Sequence, residues 1–382
     1  MANDKSFKIK NGLQAGRYLQ SAGVETAGSE GYNLAGASYD SVSFSVASQE
    51  TTPRAVFFKT DGTKMYVVGT TNDTVYQYTL STAWDVSTAS YESKSLSVSA
   101  QDINPLSIFF KPDGTRMYMQ GASNDDVYQY SLTTAWDIST ASYDSISFDG
   151  STQDVAMYGV FFKDDGTKMY LNGYANGGDL YQYSLSTAWD LSTASYDTVS
   201  FDYSPQESSS VGLSFTDDGF SFFLLSDGTD VAYKYTMSTA WDISTASYDS
   251  SSPVFAEDTS ILGFALGNSG NKFYMVGNTA DTIYQYSTVG YTQTLDLSTG
   301  SYFQFTPSGA TTVSFSNPPA SGLATGFAVE INGDGSAITW PSSVKWPSGV
   351  APTATASKEV YAFVTTDGGS TYYGKLAGSA IA

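Results

Sequence analysis

Carboxylates, hydroxyls and lysine amines are the side chains with which this sequence could do chemistry. The 382 residues include no histidine and no cysteine, which excludes imidazole bases, thiol nucleophiles, disulfides and metal sites built on either residue. One carboxylate recurs before a glycine, at Asp61, Asp113, Asp165 and Asp218. A ring of such oxygens could bind calcium. Because Asp-Gly is typical of hairpin turns in which the carboxylate bonds its own backbone, we predict turns here.

A second recurring carboxylate follows a tryptophan and precedes a Ser-Thr pair, at Asp85, Asp137, Asp190 and Asp242. This pattern favours an Asx or Ser/Thr turn over a metal ligand. Calcium in an acidic loop such as Asn124-Asp125-Asp126 stays open, since oxygen ligands are the kind this chain offers. We predict no other cofactor.

Hydrolytic chemistry has little support in the sequence. A glycosidase needs two carboxylates roughly 5–10 Å apart with shifted pKa values, and none of the 38 acidic residues forms an evident pair. No Gly-x-Ser-x-Gly motif is present, and no histidine could activate a serine. A Ser-Lys pair stays open. We predict that the protein is not an enzyme.

The tryptophans fall into two groups. Trp84, Trp136, Trp189 and Trp241 recur at one position, which favours packing inside a repeated unit over stacking on sugars. Trp340 and Trp346 each precede a proline and are candidates for an interface or glycan contact. Packing in a core or a subunit interface is the alternative for them. Tyr372 and Tyr373 are the remaining candidate contacts.

The recurring aspartates and the first group of tryptophans belong to a repeat that the sequence contains in five copies. Its turn glycines are residues 62, 114, 166, 219 and 270, spaced by 52, 52, 53 and 51 positions. Each copy contains four short segments with strand patterning, such as 54–58, 64–69 and 74–80, and helical spacing is absent. Four strands in about 50 residues are typical of a propeller blade. We therefore predict an all-β protein with a five-bladed β-propeller over residues 37–290; a solenoid is the competing arrangement.

The phase of the repeats predicts how the ring closes. The chain begins with the strand that elsewhere ends a copy, and the fifth copy lacks that strand. We expect segment 39–47 to pair with the fifth blade, which would leave no open sheet edge.

The amino-acid composition excludes several classes of binding partner. The net charge is −21 with 14% charged and 15% aromatic residues, which excludes wholesale disorder and makes nucleic acid and anionic lipid poor partners. The opening residues lack the apolar segment of a secretory signal, and no stretch approaches the ~18 apolar residues that span a bilayer. We expect no membrane insertion, and assembly in a cytoplasm.

The flanks differ from the repeats. Residues 1–36 form a predicted arm with four basic side chains, Lys5, Lys8, Lys10 and Arg17, which could anchor the protein on an acidic surface. An ordinary solvated tail is equally consistent with them. Residues 291–382 are predicted to form a small β-sandwich or barrel, whose open edges oligomerisation would cover.

The C-terminal unit resembles the C-terminal domains of virion appendage proteins from marine tailed bacteriophages. The resemblance rests on the segments 297–303, 316–319, Trp340-Pro341-Ser342-Ser343-Val344-Lys345-Trp346-Pro347 and Thr366 to Gly374. The opening segment 7–13 is similar to N-terminal segments of phage fibre-like proteins. The repeats resemble the Pro-Asp-Gly-Thr-Arg-x-Tyr type, here Pro112 to Tyr118, that occurs in surface proteins and lactonase-like enzymes.

The resemblance implies a structural protein of the virion, with other virion proteins and copies of itself as partners. Within that class we predict a tail fibre or adhesin that contributes to recognition of host-surface glycans, with residues 1–36 as the attachment arm. A capsid-mounted fibre or decoration protein is the alternative. From another class, the rival is a metal-dependent propeller hydrolase. The low-charge surface, rich in Ser, Thr and Tyr, suits weak multivalent adhesion.

Overall fold

A computed structural model describes residues 32–288, 291–307, 311–333, 338–347 and 349–381, without the side chains of 291 and 292. The candidate anchoring residues Lys5, Lys8, Lys10 and Arg17 lie outside these ranges. The described residues up to Tyr291 belong to one compact unit, and those from Thr292 onward belong to a second. No helix in the described part of the chain is long and apolar enough to cross a membrane.

The first unit is a five-bladed β-propeller, as predicted, and each blade is a four-stranded antiparallel sheet. Blade 1 contains β2 (Pro53–Phe58), β3 (Lys64–Gly69), β4 (Thr74–Leu80) and β5 (Ala89–Ser97). Blade 2 contains β6 (Pro105–Phe110), β7 (Arg116–Gly121), β8 (Asp126–Leu132) and β9 (Ala141–Asp149). Blade 3 contains β10 (Met157–Phe162), β11 (Lys168–Gly173), β12 (Asp179–Leu185) and β13 (Ala194–Asp202).

Blades 4 and 5 complete the ring. Blade 4 contains β14 (Ser210–Phe215), β15 (Ser221–Ser226), β16 (Ala232–Met237) and β17 (Ala246–Ser251). Blade 5 contains β18 (Ile261–Gly267), β19 (Lys272–Gly277), β20 (Thr282–Ser287) and the N-terminal strand β1 (Ser38–Ser45). Each first strand contacts the first strand of the next blade, and β18 contacts β2. The five first strands, β2, β6, β10, β14 and β18, therefore surround the axis.

The predicted closure is confirmed, because β1 pairs antiparallel with β20. Ser38 lies opposite Ser287 and Phe44 lies opposite Ile283. The Lys272 ammonium donates to the Asp40 carboxylate at 2.6 Å, so a charge-assisted contact adds to the backbone ladder. One detail was not predicted: Ser41 has a φ of 58°, and a β-bulge breaks the alternation between Tyr39 and Val42.

The blades pack through the repeated tryptophans, as predicted. Trp136 stacks on Phe110 of its own blade at 5.6 Å between ring centroids, and its carbonyl accepts the Tyr66 hydroxyl of the preceding blade at 2.7 Å. Its ring also covers the turn glycine, since a Cβ on Gly114 would lie 2.4 Å from the indole. Gly114 has a φ of 72° as well, so glycine is required there for two reasons.

Blade 5 lacks the tryptophan, and Tyr32 takes its place. A Cβ on Gly270 would lie 2.3 Å from the Tyr32 ring, as it would from tryptophan in the other blades. The 3₁₀ turn Leu34–Gly36 follows, and corresponding turns are Val86–Thr88, Ile138–Thr140, Leu191–Thr193 and Ile243–Thr245. Tyr32 and Leu34 are buried in the core that blades 4 and 5 share. The propeller thus includes residues that the sequence placed in the arm of residues 1–36.

The C-terminal unit consists of two sheets around one apolar core. One sheet has the order β21 (Tyr291–Asp296), β23 (Thr311–Ser316), β25 (Ile338–Thr339). The other has the order β22 (Tyr302–Phe305), β24 (Thr325–Asn332), β27 (Lys358–Thr365), β28 (Tyr372–Gly378), β26 (Val344–Lys345). Alternating burial along β24 and β27 supplies the core, which is the half-buried pattern expected of a sandwich.

Candidate functional site

A cavity of about 380 Å³ lies on the propeller axis. All five first strands line it, and its mouth is formed where these strands run into the Asp-Gly turns. We call it the axial cavity, and we call this side of the propeller the turn end. Because it combines apolar walls with a few polar groups, it has the general character of a ligand site.

The cavity exists because the repeats differ in side-chain volume at one position. In blades 1 to 3 this position holds Phe57, Phe109 and Phe161, whose rings meet across the axis at centroid distances of 5.5 and 5.0 Å. In blades 4 and 5 it holds Ser214 and Ala265. Five phenylalanines would fill more of the axis, so the two small side chains leave space on the side of blades 4 and 5.

A second position, directly before the turn aspartate, lines the mouth. It holds a neutral residue in three blades (Thr60, Pro112 and Asn268) and a carboxylate in the other two (Asp164 and Asp217). The two carboxylates belong to neighbouring blades and are the charged residues among those lining the cavity. The mouth is therefore acidic on one side.

The surroundings of Asp164 and Asp217 disfavour the charged form of both carboxylates. Burial, followed by the negative charges of Asp217 and Asp165, raises the pKa of Asp164 above its ordinary value. Burial also raises the pKa of Asp217, against the hydrogen bond from the Tyr32 hydroxyl, which lowers it. Among the described residues, no hydrogen-bond donor or ion-pair partner contacts the Asp164 carboxylate. The site keeps two like charges close together without a compensating cation.

The neighbouring turn aspartates are different, and their predicted role is confirmed. Asp61 accepts the Thr63 amide at 3.0 Å, and the Lys59 ammonium lies 2.7 Å from its carboxylate. Lys111 and Lys163 make the same ion pair with Asp113 and Asp165, at 2.6 and 2.7 Å. These carboxylates cap their own turns and are not free for a ligand. Asp85 likewise accepts the Ser87 amide at 3.0 Å.

The turn aspartates predict a loss of stability in acid. Burial alone would raise the pKa of Asp61 and Asp113, but the lysine and threonine partners outweigh it and lower the pKa of each to about 2. Their contribution is thus complete above the unfolded pKa of about 3.9 and is lost as pH falls toward about 2. Urea unfolding should show a shallower decline between pH 5 and pH 2 for the Asp61→Asn, Asp113→Asn variant than for the parent. Parallel curves would contradict this assignment.

A set of buried carboxylates was missed by the sequence analysis. Glu50, Asp102, Asp154, Glu207 and Asp258 lie one per blade at the end opposite the turn end, and each is at most 9% exposed. Asp154, for example, accepts the backbone amides of Ala156, Ala175 and Asn176 at 2.9–3.1 Å. Such bonds satisfy loop amides that burial would otherwise leave unpaired. The signal was available, because these acids recur at the period of the repeat.

In the loop Asn124-Asp125-Asp126, considered above for calcium, one carboxylate already bonds the protein backbone. Asp125 accepts the Met157 amide at 3.1 Å, and burial with nearby acids raises the pKa of both Asp125 and Asp126. Across the described residues, no group of three or more acidic side chains is arranged to hold a metal ion.

The C-terminal candidate residues occupy different environments. Trp340 and Tyr372 are 8% and 2% exposed and lie in the core of the C-terminal unit. Trp346 is partly buried and packs edge-on against Trp340 at 5.7 Å. Tyr373 is 60% exposed. Core packing, the alternative weighed for the tryptophans, describes Trp340, and the Tyr372 ring is equally buried and does not offer a contact surface. The Tyr373 ring is exposed, and its role in an interface or glycan contact stays a prediction.

Comparison with known proteins gives structural matches alone. No family model matches this sequence, and no curated protein matches it. The periplasmic gluconolactonase from Pseudomonas aeruginosa matches with 10% identity and a TM-score of 0.35, over 53% of this chain and 53% of that chain. A functionally unknown protein from Desulfotomaculum acetoxidans matches with 8% identity and a TM-score of 0.38, over 59% and 62%. A protein from Lactobacillus plantarum matches with 15% identity and a TM-score of 0.37, over 54% and 56%.

This chain therefore covers less than two thirds of these solved structures.

Proposed function

We propose that the protein is a non-enzymatic recognition protein of a tailed-bacteriophage particle, a tail fibre or adhesin that binds glycans on the host surface. The observation that carries recognition is the axial cavity, in which aromatic walls meet carboxylate, amide and hydroxyl groups at the mouth. Aromatic faces pack against the apolar side of a sugar, and the polar groups can hydrogen-bond its hydroxyls. Placement on a virion is supported by the C-terminal sequence motifs.

The propeller suits this role because it is rigid and closed. With β1 in blade 5, every propeller blade is a complete four-stranded sheet, and the ring has no open blade. The cavity walls therefore come from strands and not from long loops, so little order has to be gained on binding. Copies of the protein on one particle would add avidity to a weak single site. The capsid-mounted fibre remains the alternative within this class.

The experiment for the particle role is immunogold electron microscopy of virions with antibody against residues 37–288. Gold at the tail is the expected result and supports the fibre or adhesin. Gold spread over the head would replace it with the capsid-mounted alternative. Virions without gold, in a preparation whose other structural proteins are labelled, would overturn the virion assignment altogether.

A second experiment tests recognition of the host. The full chain is applied to a glycan array and to host cells, and the Phe109→Ala variant serves as the comparison because its ring forms part of the cavity wall. We expect binding by the parent that the variant reduces at least tenfold. Absence of binding by the parent in both assays would contradict an adhesin, whatever the immunogold result.

The pair Asp164 and Asp217 favours one second candidate function. Glycoside hydrolases use two carboxylates at a cavity, one of them an acid with a raised pKa, and here the pKa of both Asp164 and Asp217 is raised. Hydrolysis of aryl glycosides or lactones by the parent, lost in Asp164→Asn, would replace the binding function with an enzymatic one. Activity that disappears on chelation and returns with calcium would instead favour the metal-dependent hydrolase. No turnover under any of these conditions is the expected result.

A further inference from the structure

We propose that the axial cavity binds a ligand through an ammonium group, either the primary amine of an amino sugar or a quaternary ammonium headgroup. The inference deepens the proposed recognition function and rests on it only in taking the cavity as the binding site. Its basis is the charge, the aromatic lining and the position of Asp164 and Asp217.

The charge of the mouth is uncompensated. Asp164 and Asp217 carry the charges of the cavity lining, and both are negative. The lysines at the start of the turns could have neutralised them, but Lys59, Lys111 and Lys163 are each ion-paired with a turn aspartate. In blades 4 and 5 the corresponding position holds Thr216 and Gly267, which bring no cation. A cationic ligand would supply the missing charge.

The walls favour the same class of ligand. Trp84 and Tyr32 line the cavity on the side of blade 5, and Phe57, Phe109 and Phe161 line it on the other side. The faces of aromatic rings attract cations, most strongly when the cation is removed from water. Carboxylates at the mouth with aromatic rings below them therefore suit an ammonium group better than a neutral hydroxyl or an anion.

The residue at the position of Asp164 and Asp217 differs among the blades, which shows whether folding requires a carboxylate there. Thr60 and Pro112 occupy the same position in blades 1 and 2, where the Gly62 and Gly114 amides close the turn at 2.7 and 2.8 Å just as the Gly166 amide does in blade 3 at 2.7 Å. A carboxylate is thus not needed to build the turn. Keeping Asp164 charged costs stability at neutral pH, because burial and the charge of Asp217 both disfavour its ionised form. Residues that the fold does not need and that weaken it are best explained by a ligand.

The test is isothermal titration calorimetry of the full chain at pH 7 and low ionic strength with choline, glucosamine, N-acetylglucosamine and glucose. We expect choline or glucosamine to bind, the two neutral sugars to bind at least tenfold more weakly, and Asp164→Asn and Asp217→Asn each to reduce the cation's affinity at least tenfold. The choline and glucosamine arms distinguish the quaternary from the primary ammonium group. Asp190→Asn is the matched control and should bind as the parent does, because Asp190 belongs to the same blade, accepts the Ser192 amide and does not line the cavity.

A stability readout separates loss of the site from loss of the fold. Without ligand, Asp164→Asn should melt at the same temperature as the parent or higher, because one of two repelling charges is gone. The parent should be stabilised by the cation, and the variant should not. A variant that melts lower than the parent would overturn the claim that Asp164 is dispensable for folding.

The remaining outcomes are equally decisive. Equal affinity for glucose and glucosamine would overturn the ammonium inference and leave glycan recognition standing. Binding of choline or glucosamine that survives both substitutions would move the site away from the axial cavity. No binding of any probe, together with gold-labelled virions, would overturn this inference while the virion role is retained.

Discussion

Replacing Trp189 with alanine is expected to lower the free energy of unfolding by about 3–5 kcal/mol, the usual cost of deleting a large buried ring. Trp189 is 8% exposed and stacks on Phe162 of its own blade at 5.8 Å and on Phe109 of the preceding blade at 6.4 Å. Its ring also covers Gly166, which has no side chain of its own to fill the space. The substitution therefore opens a void between two blades.

Urea unfolding followed by circular dichroism measures this loss. Tyr373→Ala is the control, because that ring is 60% exposed and its removal should change stability by no more than about 0.5 kcal/mol. The Tyr118 hydroxyl bonds the Trp189 carbonyl at 2.6 Å, and this backbone contact is available in the variant. A loss below about 1 kcal/mol would mean that the repeated tryptophan does not hold neighbouring blades together.

Linking the two ends of the propeller by a disulfide is expected to give the largest gain in stability. Ser38 of β1 and Ser287 of β20 are directly paired across the ladder, so cysteines at both positions meet the distance requirement of a disulfide. The loop that the bond closes contains almost the whole propeller. In the chain-entropy model such a loop adds up to about 5 kcal/mol, and strain in the native state reduces the gain.

The comparison is between the oxidised and reduced forms of the Ser38→Cys, Ser287→Cys variant. The natural chain has no cysteine, so no other disulfide competes. Ser38→Cys with Ser251→Cys is the matched control, since Ser251 lies in β17 of blade 4 and is not paired with β1. Failure of the first pair to crosslink in the folded protein, or crosslinking of both pairs alike, would be inconsistent with closure through β1.

The repeats made most of the propeller predictable. A period of about 52 residues fixed the number of blades, and the Asp-Gly dipeptides marked the turn between the first and second strand of a blade. The predicted segments 64–69 and 74–80 are the observed β3 and β4. These features are local, because alternation, turn chemistry and hydrogen bonds within a hairpin involve residues close in sequence. Closure was predictable as well, since a strand missing at one end was present at the other.

The fifth blade shows where this reasoning failed. The missing tryptophan after the last repeat left open what covers Gly270, and the answer is Tyr32, which precedes the first repeat by position and completes the last one in space. The sequence did carry a signal for it, because segment 32–41 aligns with segment 84–93, which begins at Trp84, and Tyr32 stands at the tryptophan position. Only the pairing of β1 with β20 brings it there.

The sequence by itself determined the all-β class, the number of blades, the turn role of the repeated carboxylates and the absence of thiol and imidazole chemistry. The tertiary structure decided the site. Asp164 and Asp217 stand 53 residues apart and look like variants of a turn, and Ser214 and Ala265 look like lapses in an apolar pattern. Their meeting in one cavity depends on which positions face the axis and on the volume that five different blades leave there. A cavity formed by residues far apart in the chain leaves no local pattern in the sequence, whereas a strand or a turn does.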